Sequence, residues 1–415
     1  MSEAKVFDAT AATELVKELR GTFASGRTRS YEWRVSQLES ILKLSADHEE
    51  EISDAIHSDL SKPALESIIH EIGMVKNSCK LALKELRRWM TPEKVQTTIT
   101  TFPSSAEIVP EPLGVVLIIS PWNYPFCNGR VGRIVMAAAA KHLTPVVLEL
   151  GGKSPVVVDS KINLQVACRR IIAGKWGGNN GQACVSPDYI ITTKEVAPKL
   201  VESLKQELER FYGKNPLESK DLSRIVNANH FDRLTKLLDD DKVSGKIVLG
   251  GEKDKSKLQI APTLLLDVPR DSLIMTEEIF GPLLPIITVD KLEDCFEIVN
   301  SVPKPLAAYL FTSNKNLKEQ FVACISAGAV VINDTTLHLA VSTLPFGGVG
   351  ESGMGAYHGK FSFDAFSHKK AVLYRSFAGD VAMRYPPYTP GKLRFLKALL
   401  GDGILGLIRA LLGWS

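Results

Sequence analysis

Cys184 closes the run Asn179-Asn180-Gly181-Gln182-Ala183-Cys184. Glycine and small residues let a backbone approach a ligand closely, and that suits a thiol that attacks a substrate. A lone cysteine would carry little weight, because free cysteine is ordinarily a small buried hydrophobe. Upstream, Glu149-Leu150-Gly151-Gly152-Lys153 sets a carboxylate where an apolar strand ends, the usual place for sites in open α/β sheets. Raised in pKa by its surroundings, Glu149 becomes a general base; taken alone, a strand-end glutamate reads as a salt-bridge partner. Pro121-Trp122-Asn123-Tyr124-Pro125 holds the Asn123 amide between two prolines, as a donor to an oxyanion or as an ordinary turn residue. Glu277-Glu278-Ile279-Phe280-Gly281-Pro282 sets a carboxylate beside an aromatic ring. The carboxylate can hold ribose hydroxyls while the ring borders a nicotinamide, although the same run is a common helix-to-strand junction.

These residues need strands and helices to position them. Residues 9–90 read as helical, with apolar positions such as Leu38, Ile41 and Leu42 three and four apart. The acidic stretch from His48 to Asp59 reads as a solvated helix face. Residues 96–108 are β-branched and alternating, with Pro103-Ser104-Ser105 as the turn of a hairpin that serves either a subunit contact or only the surface. The run GVVLIIS at 114–120 has the character of a buried parallel strand. An Ala-rich helix pattern covers 131–142, and 145–150 and 155–159 read as further buried strands. Helix follows at 195–212, then strands at 246–249 and 283–289 alternate with helices at 291–300 and 315–327. This alternation predicts an α/β protein with a mostly parallel sheet.

Composition narrows the function. Over 415 residues, Lys and Arg number 50 against 47 Asp and Glu, too even a balance to indicate nucleic acid as a partner. The length calls for two or three domains. Six cysteines, at 79, 127, 168, 184, 295 and 324, show no CxxC spacing and no accompanying His cluster, which argues against a disulfide framework or a zinc site. Cys79, Cys168, Cys295 and Cys324 fall in helix patterns and read as packing residues. The N-terminus shows no apolar leader segment, so the expected compartment is the reducing cytoplasm.

Taken together and in order, SPWNYP, ELGGK, GQAC and EEIFGP resemble the aldehyde dehydrogenase superfamily. Its class 3 branch is further suggested by Pro345-Phe346-Gly347-Gly348-Val349-Gly350, Ser352-Gly353-Met354-Gly355, the run from Ala356 to Phe363, and Tyr385-Pro386-Pro387-Tyr388. The resemblance covers about residues 10–390. It implies a Rossmann-like domain for NAD or NADP, an α/β catalytic domain and a small β bridging element. The implied boundaries are 1–150 for the cofactor domain with a bridging hairpin at 96–109, 151–355 for the catalytic domain, 356–390 for a C-terminal bridging segment and 391–415 for a tail. It also implies Cys184 as nucleophile, Glu149 as the base that activates water, and Asn123 with the Cys184 N–H as oxyanion hole. Glu278 and Phe280 fall at the nicotinamide-ribose end, and Trp122, Gly129, Gly132 and Gly151 complete the cofactor set. The expected reaction oxidises aldehydes to carboxylic acids with NAD(P)+, on medium- or long-chain aliphatic or aromatic substrates, in a homodimer. Two other readings are esterase chemistry without nucleotide, and a non-catalytic isoform that acts by dimerising or by binding a membrane.

One departure from the family is large. Gly129 and Gly132 match the later positions of the family's glycine-rich turn, but Cys127 stands at its first glycine. A Lys-Pro-Ser-Glu run, which the resemblance expects to hold the adenosine ribose, is absent. At about 30 residues per βαβ unit, two units or so are missing, with the join between Phe126 and Asn128. The expected consequence is a folded catalytic domain beside a cofactor domain with unpaired strand edges and weakened nucleotide affinity. In the tail, Ile404, Leu405, Leu407, Ile408, Leu411 and Leu412 share one helical face within 393–414. Twelve helical residues reach only about 18 Å, short of a bilayer core of about 30 Å. Peripheral membrane contact and docking on the protein itself stand as equal readings of that face.

Overall fold

The structure is a computed structural model that describes residues 7–98, 101, 103–119, 122–123, 129–378 and 380–401. The chain forms two compact units, one of residues 1–84 with 115–365 and one of 85–114 with 366–415. Strands run in chain order as β1 (Glu93–Val95), β2 (Ser105–Pro112), β3 (Leu148–Glu149), β4 (Pro155–Val158), β5 (Tyr189–Thr193), β6 (Ile247–Leu249) and β7 (Lys253–Asp254). They continue with β8 (Gln259–Ile260), β9 (Thr263–Leu266), β10 (Leu283–Val289), β11 (Ala307–Phe311), β12 (Ala329–Ile332), β13 (Gly353–Met354) and β14 (Ser367–Tyr374).

The larger unit is built on a seven-stranded sheet of order β12-β11-β4-β5-β10-β9-β6. Neighbours are parallel except β6, which closes the edge antiparallel to β9. A parallel sheet is covered on both faces, so its strands are apolar throughout. Val156, Val158, Ile190 and Tyr309 point to one face, under the helices Leu164–Lys175 and Ala197–Tyr212. Val157, Ile191 and Leu310 point to the other, under Ala228–Asp239, Cys295–Asn300 and Lys315–Cys324. Fully buried side chains of this kind contribute about 1.5–3 kcal/mol each, and that holds the sheet as a rigid base for the loops at its edge.

Helices precede the strands, as the periodicity predicts. Asp8 and Ser30 cap Ala9–Ala24 and Tyr31–Asp47 by accepting the N–H groups of Ala11 and Trp33. Glu49–Leu60 opens on three glutamates and is mostly exposed, in keeping with a solvated face. A short helix, Ala64–Ser67, then passes into a π-turn at Ile68–Ile72.

Three expectations need correction. Residues 113–119 form no strand and are not buried: Leu117 is 80% exposed and Ile118 71%. A buried parallel strand needs a neighbour on each side and helices on both faces, and the units that would supply them are missing. The strand expected at 145–150 shrinks to β3, which pairs antiparallel with β13 through Glu149↔Gly353 and Leu148↔Met354. Cys324 is exposed at a helix end and is not a packing residue, whereas Cys79, Cys168 and Cys295 are buried. The helix expected at 131–142 forms as Gly129–Ala140.

In the smaller unit β2 pairs with β1 and, along its whole length, with β14, from Ser367↔Pro112 to Tyr374↔Ser105. The hairpin of the sequence is therefore real, but its first strand lies at 93–95, ahead of the β-branched run, of which 99, 100 and 102 are outside the described residues. The helix Pro390–Gly401 begins the tail, and 402–415, with most of the apolar face, also lie outside them.

Candidate active site

The loop that leads to Cys184 is bent by three consecutive left-handed residues, Asn179 (φ 58°), Asn180 (φ 53°) and Gly181 (φ 80°). A Cβ on Gly181 would stand 2.2 Å from the Gly281 carbonyl oxygen, so only glycine fits there. The bend is held by amides. Asn180 Nδ2 donates to the Ser223 carbonyl at 2.8 Å, and Gln182 Nε2 to those of Arg224 at 2.9 Å and Asn179 at 3.1 Å. Asn123 is buried, and its Nδ2 donates to the Gln182 carbonyl at 3.0 Å. That uses one of its two amide hydrogens and leaves the other to donate.

Glu149 ends β3 and is buried. Burial pushes its carboxyl up to about 7, against the opposing pull of the Cys184 thiol and the Gly151 N–H. Its Oε1 is enclosed and has no partner among the described residues, so that oxygen is free to take a proton. Cys184 is half-buried. Burial and then the adjacent Glu149 raise its thiol well above the ordinary 9.0. At neutral pH the sulfur keeps its proton, with a carboxylate beside it to receive it.

Glu278 reaches the same place from the segment before β10. Its Oε1 accepts the Gly152 N–H at 3.0 Å. Burial drives its carboxyl up to about 8. Gly151 is left-handed (φ 79°), and a Cβ there would come within 2.7 Å of the Glu278 carboxylate. The glycine pair thus makes a cradle that a side chain would fill. Phe280 meets Trp122 edge-to-face with ring centroids 5.7 Å apart, and Trp122 also lies 5.3 Å from the His230 ring. Gly129 and Gly132 fall in the first turn of Gly129–Ala140, and the chain leading into that turn, 124–128, is outside the described residues.

Several organising residues escaped the sequence reading. Lys153 donates to Asp188 and to the carbonyls of Ile274 (2.9 Å) and Glu277 (2.8 Å). Asp188 also accepts the Ile279 N–H at 2.9 Å. Arg233 holds the Glu277 carboxylate at 2.9 Å, which separates the two adjacent glutamates: Glu277 faces an arginine and Glu278 the glycine cradle. Lys153 stood within a quoted motif and Asp188 four residues after Cys184, so each was visible as a neighbour but not as a partner. Lys175 is fully buried, and burial lowers its pKa to about 8. Nothing in its helical pattern signalled that.

The sheet is that of an α/β protein, and the site brings a thiol, Cys184, beside a buried carboxyl, Glu149. The sequence profile of the aldehyde dehydrogenase family matches residues 1–129 and 127–372, and the chain belongs to that family. The match breaks where the sequence departs from the pattern. Within the family the chain stands with the family 3 enzymes. It is 58% identical to aldehyde dehydrogenase family 3 member H1 of Arabidopsis thaliana, over 100% of both chains. That alignment spans 482 positions against 415 residues here, a difference of 67. The chain is 40% identical to the dimeric NADP-preferring aldehyde dehydrogenase of Rattus norvegicus, over 92% of this chain and 98% of that one. Among solved structures it resembles substrate-bound AldH of Staphylococcus aureus, with a TM-score of 0.90 and 36% identity over 94% of this chain and 99% of the other. The reaction is oxidation of aldehydes with NAD or NADP, and these likenesses favour it over the esterase-only and non-catalytic readings.

Proposed function

We propose that Cys184 is the nucleophile, Glu149 the base, and Asn123 with the Cys184 N–H the oxyanion hole of this reaction. As the sulfur adds to the aldehyde carbonyl, Glu149 takes the thiol proton. The oxygen gains negative charge and is met by the second N–H of Asn123. NAD(P)+, when bound, would supply the hydride acceptor. The acyl group is then held on Cys184 as a thioester. Glu149 releases the thiol proton to solvent, then takes a proton from the water that attacks the thioester, and returns it to the sulfur as the acid leaves. The observation that carries this reading is the buried Glu149 carboxyl, with its Oε1 unpartnered among the described residues, beside the Cys184 thiol.

The residues present fit one end of the cofactor. The Gly151–Gly152 cradle, Glu278, Phe280 and Trp122 would hold the nicotinamide and its ribose, and Gly129 and Gly132 would face the phosphates. The adenosine end lacks its expected lysine and glutamate, and the exposure of 113–119 supports a loss of the sheet around them. Affinity for the whole nucleotide is therefore reduced. In this reading 1–150 is the shortened cofactor domain and 151–355 the catalytic domain. The β2–β14 ladder is the contact of a homodimer, the 393–414 tail touches membranes peripherally, and the compartment is the cytoplasm. Among the described residues no helix is long and apolar enough to cross a membrane. The substrates are medium- or long-chain aliphatic or aromatic aldehydes. The test is NADH formation from such an aldehyde by the whole chain and by Cys184→Ser. Equal rates would overturn the assignment of Cys184.

A further inference from the structure

The nucleophile loop has a partner outside the catalytic residues. Glu66, in the short helix Ala64–Ser67, is buried, and its Oε2 accepts the main-chain N–H of Asn179 at 3.1 Å. Asn179 is the first of the three left-handed residues before Cys184. Such residues cost about 1–3 kcal/mol each outside glycine and persist where the surroundings hold them. The hold is shared. Arg224, whose carbonyl accepts Gln182 Nε2 at 2.9 Å, itself ties to the end of Glu49–Leu60: its N–H donates to the Leu60 carbonyl at 2.8 Å and its guanidinium to those of Ser58 and Asp59, each at 2.9 Å. The N-terminal helices thus reach both ends of the loop, at Asn179 directly through Glu66 and at Gln182 by relay through Arg224.

We propose that Glu66 is a positioning residue for Cys184: its carboxylate fixes Asn179 and so aims the left-handed run that carries the thiol to Glu149. This rests on the reading of Cys184 as nucleophile. An ionised acceptor makes a stronger bond than a neutral one, so the hold tightens as Glu66 loses its proton. Burial pushes Glu66 up to about 7. Around it stand Lys62, Glu71, Asp221 and Tyr212, and Lys62 is itself engaged by Glu71 at 2.6 Å.

The test uses the full chain with Glu66→Gln and Glu66→Ala, and reads the rate at which iodoacetamide labels Cys184, peptide by peptide, from about pH 6 to 9. Loss of a charged buried bond predicts labelling slowed about tenfold in Glu66→Ala, with exposed Cys324 unchanged as internal control. In Glu66→Gln the amide oxygen still accepts the N–H, so labelling below neutral pH matches the parent, but the rise through about pH 7, to which Glu149 also contributes, is smaller than the parent's. Labelling of Cys184 in both variants at the parental rate and pH profile overturns the proposal. So does loss of folding in both, which would make Glu66 a residue of stability alone. Failure of the nucleophile reading shows separately, as aldehyde oxidation that survives Cys184→Ser.

Discussion

The side-chain nitrogen of Asn123 donates to the main-chain carbonyl of Gln182 across 3.0 Å, between positions 59 apart in the chain. Asn123 lies just ahead of the point where the family pattern breaks, and it still docks on the loop that leads to Cys184. Replacing it with alanine removes the proposed oxyanion donor and leaves the Gln182 carbonyl with only the longer bond from Asn179 Nδ2 at 3.4 Å. Removal of one such donor costs about 10²–10³ in kcat. Single-turnover kinetics of Asn123→Ala with an aldehyde and NAD+ should show that loss, and an unchanged rate would remove Asn123 from the oxyanion hole.

In the proposed mechanism Glu149 acts as a base only when ionised. With its carboxyl near 7, hydrolysis of the acyl-enzyme rises with pH through about 7 and levels off above it. Glu149→Gln should flatten that profile and let the acyl-enzyme accumulate, visible by intact mass. A variant with the parental profile would assign the base elsewhere.

Gly151→Ala sets a methyl group against the Glu278 carboxylate at a left-handed position. The carboxylate must move, and the ribose end of the nucleotide loses its partner. A change worth about 1.4 kcal/mol is tenfold in binding, and that is the expected rise in the KM for NAD+. Calorimetric titration of parent and variant checks it. Binding of NAD+ by the parent as tightly as by the Arabidopsis relative, measured side by side, would refute the weakened adenosine end.

Glu66, Glu149 and Glu278 are all raised by burial, to about 7, 7 and 8, from an ordinary 4.5. Between those values the folded chain holds more protons than the unfolded one. Stability from these groups is therefore greatest in acid and falls as pH rises from about 4.5 to about 8. Each raised carboxyl is worth on the order of 3 kcal/mol at the upper end. Glu149→Gln should melt several degrees higher than the parent at pH 8 and equally at pH 5. A variant that melts lower at pH 8 would contradict this sign.

The bare run at 113–119 makes a different prediction. Leu117 and Ile118 are 80% and 71% exposed, and Leu143 91%. Exposed apolar side chains in number favour association. Leu117→Lys with Ile118→Glu should lower the fluorescence of a bound apolar dye and the scattering of concentrated samples, with Cys184 labelling unchanged. Unaltered dye binding would place the exposed surface elsewhere.

Motif order was enough to assign the family, because GQAC, ELGGK, SPWNYP and EEIFGP each combine a reactive group with residues that shape a loop around it. Length arithmetic exposed the missing units, because a parallel sheet needs a fixed amount of chain per strand. Apolar runs located β4 and β10, whose burial on both faces leaves them almost wholly apolar, whereas β5 and β11 were not singled out. The same rule misread 114–120: the run is apolar for neighbours that this chain does not carry, and local pattern cannot report an absent neighbour. Only the tertiary structure turned Glu278 and Glu277 apart, since their partners Gly152 and Arg233 lie 126 and 44 positions away. Only it gave Glu149 and Glu66 their proton affinities, which come from burial rather than from residue type. And only it joined Glu66 to Asn179 across 113 positions, a hydrogen bond made by the packing of a helix from one end of the chain on a loop near its middle.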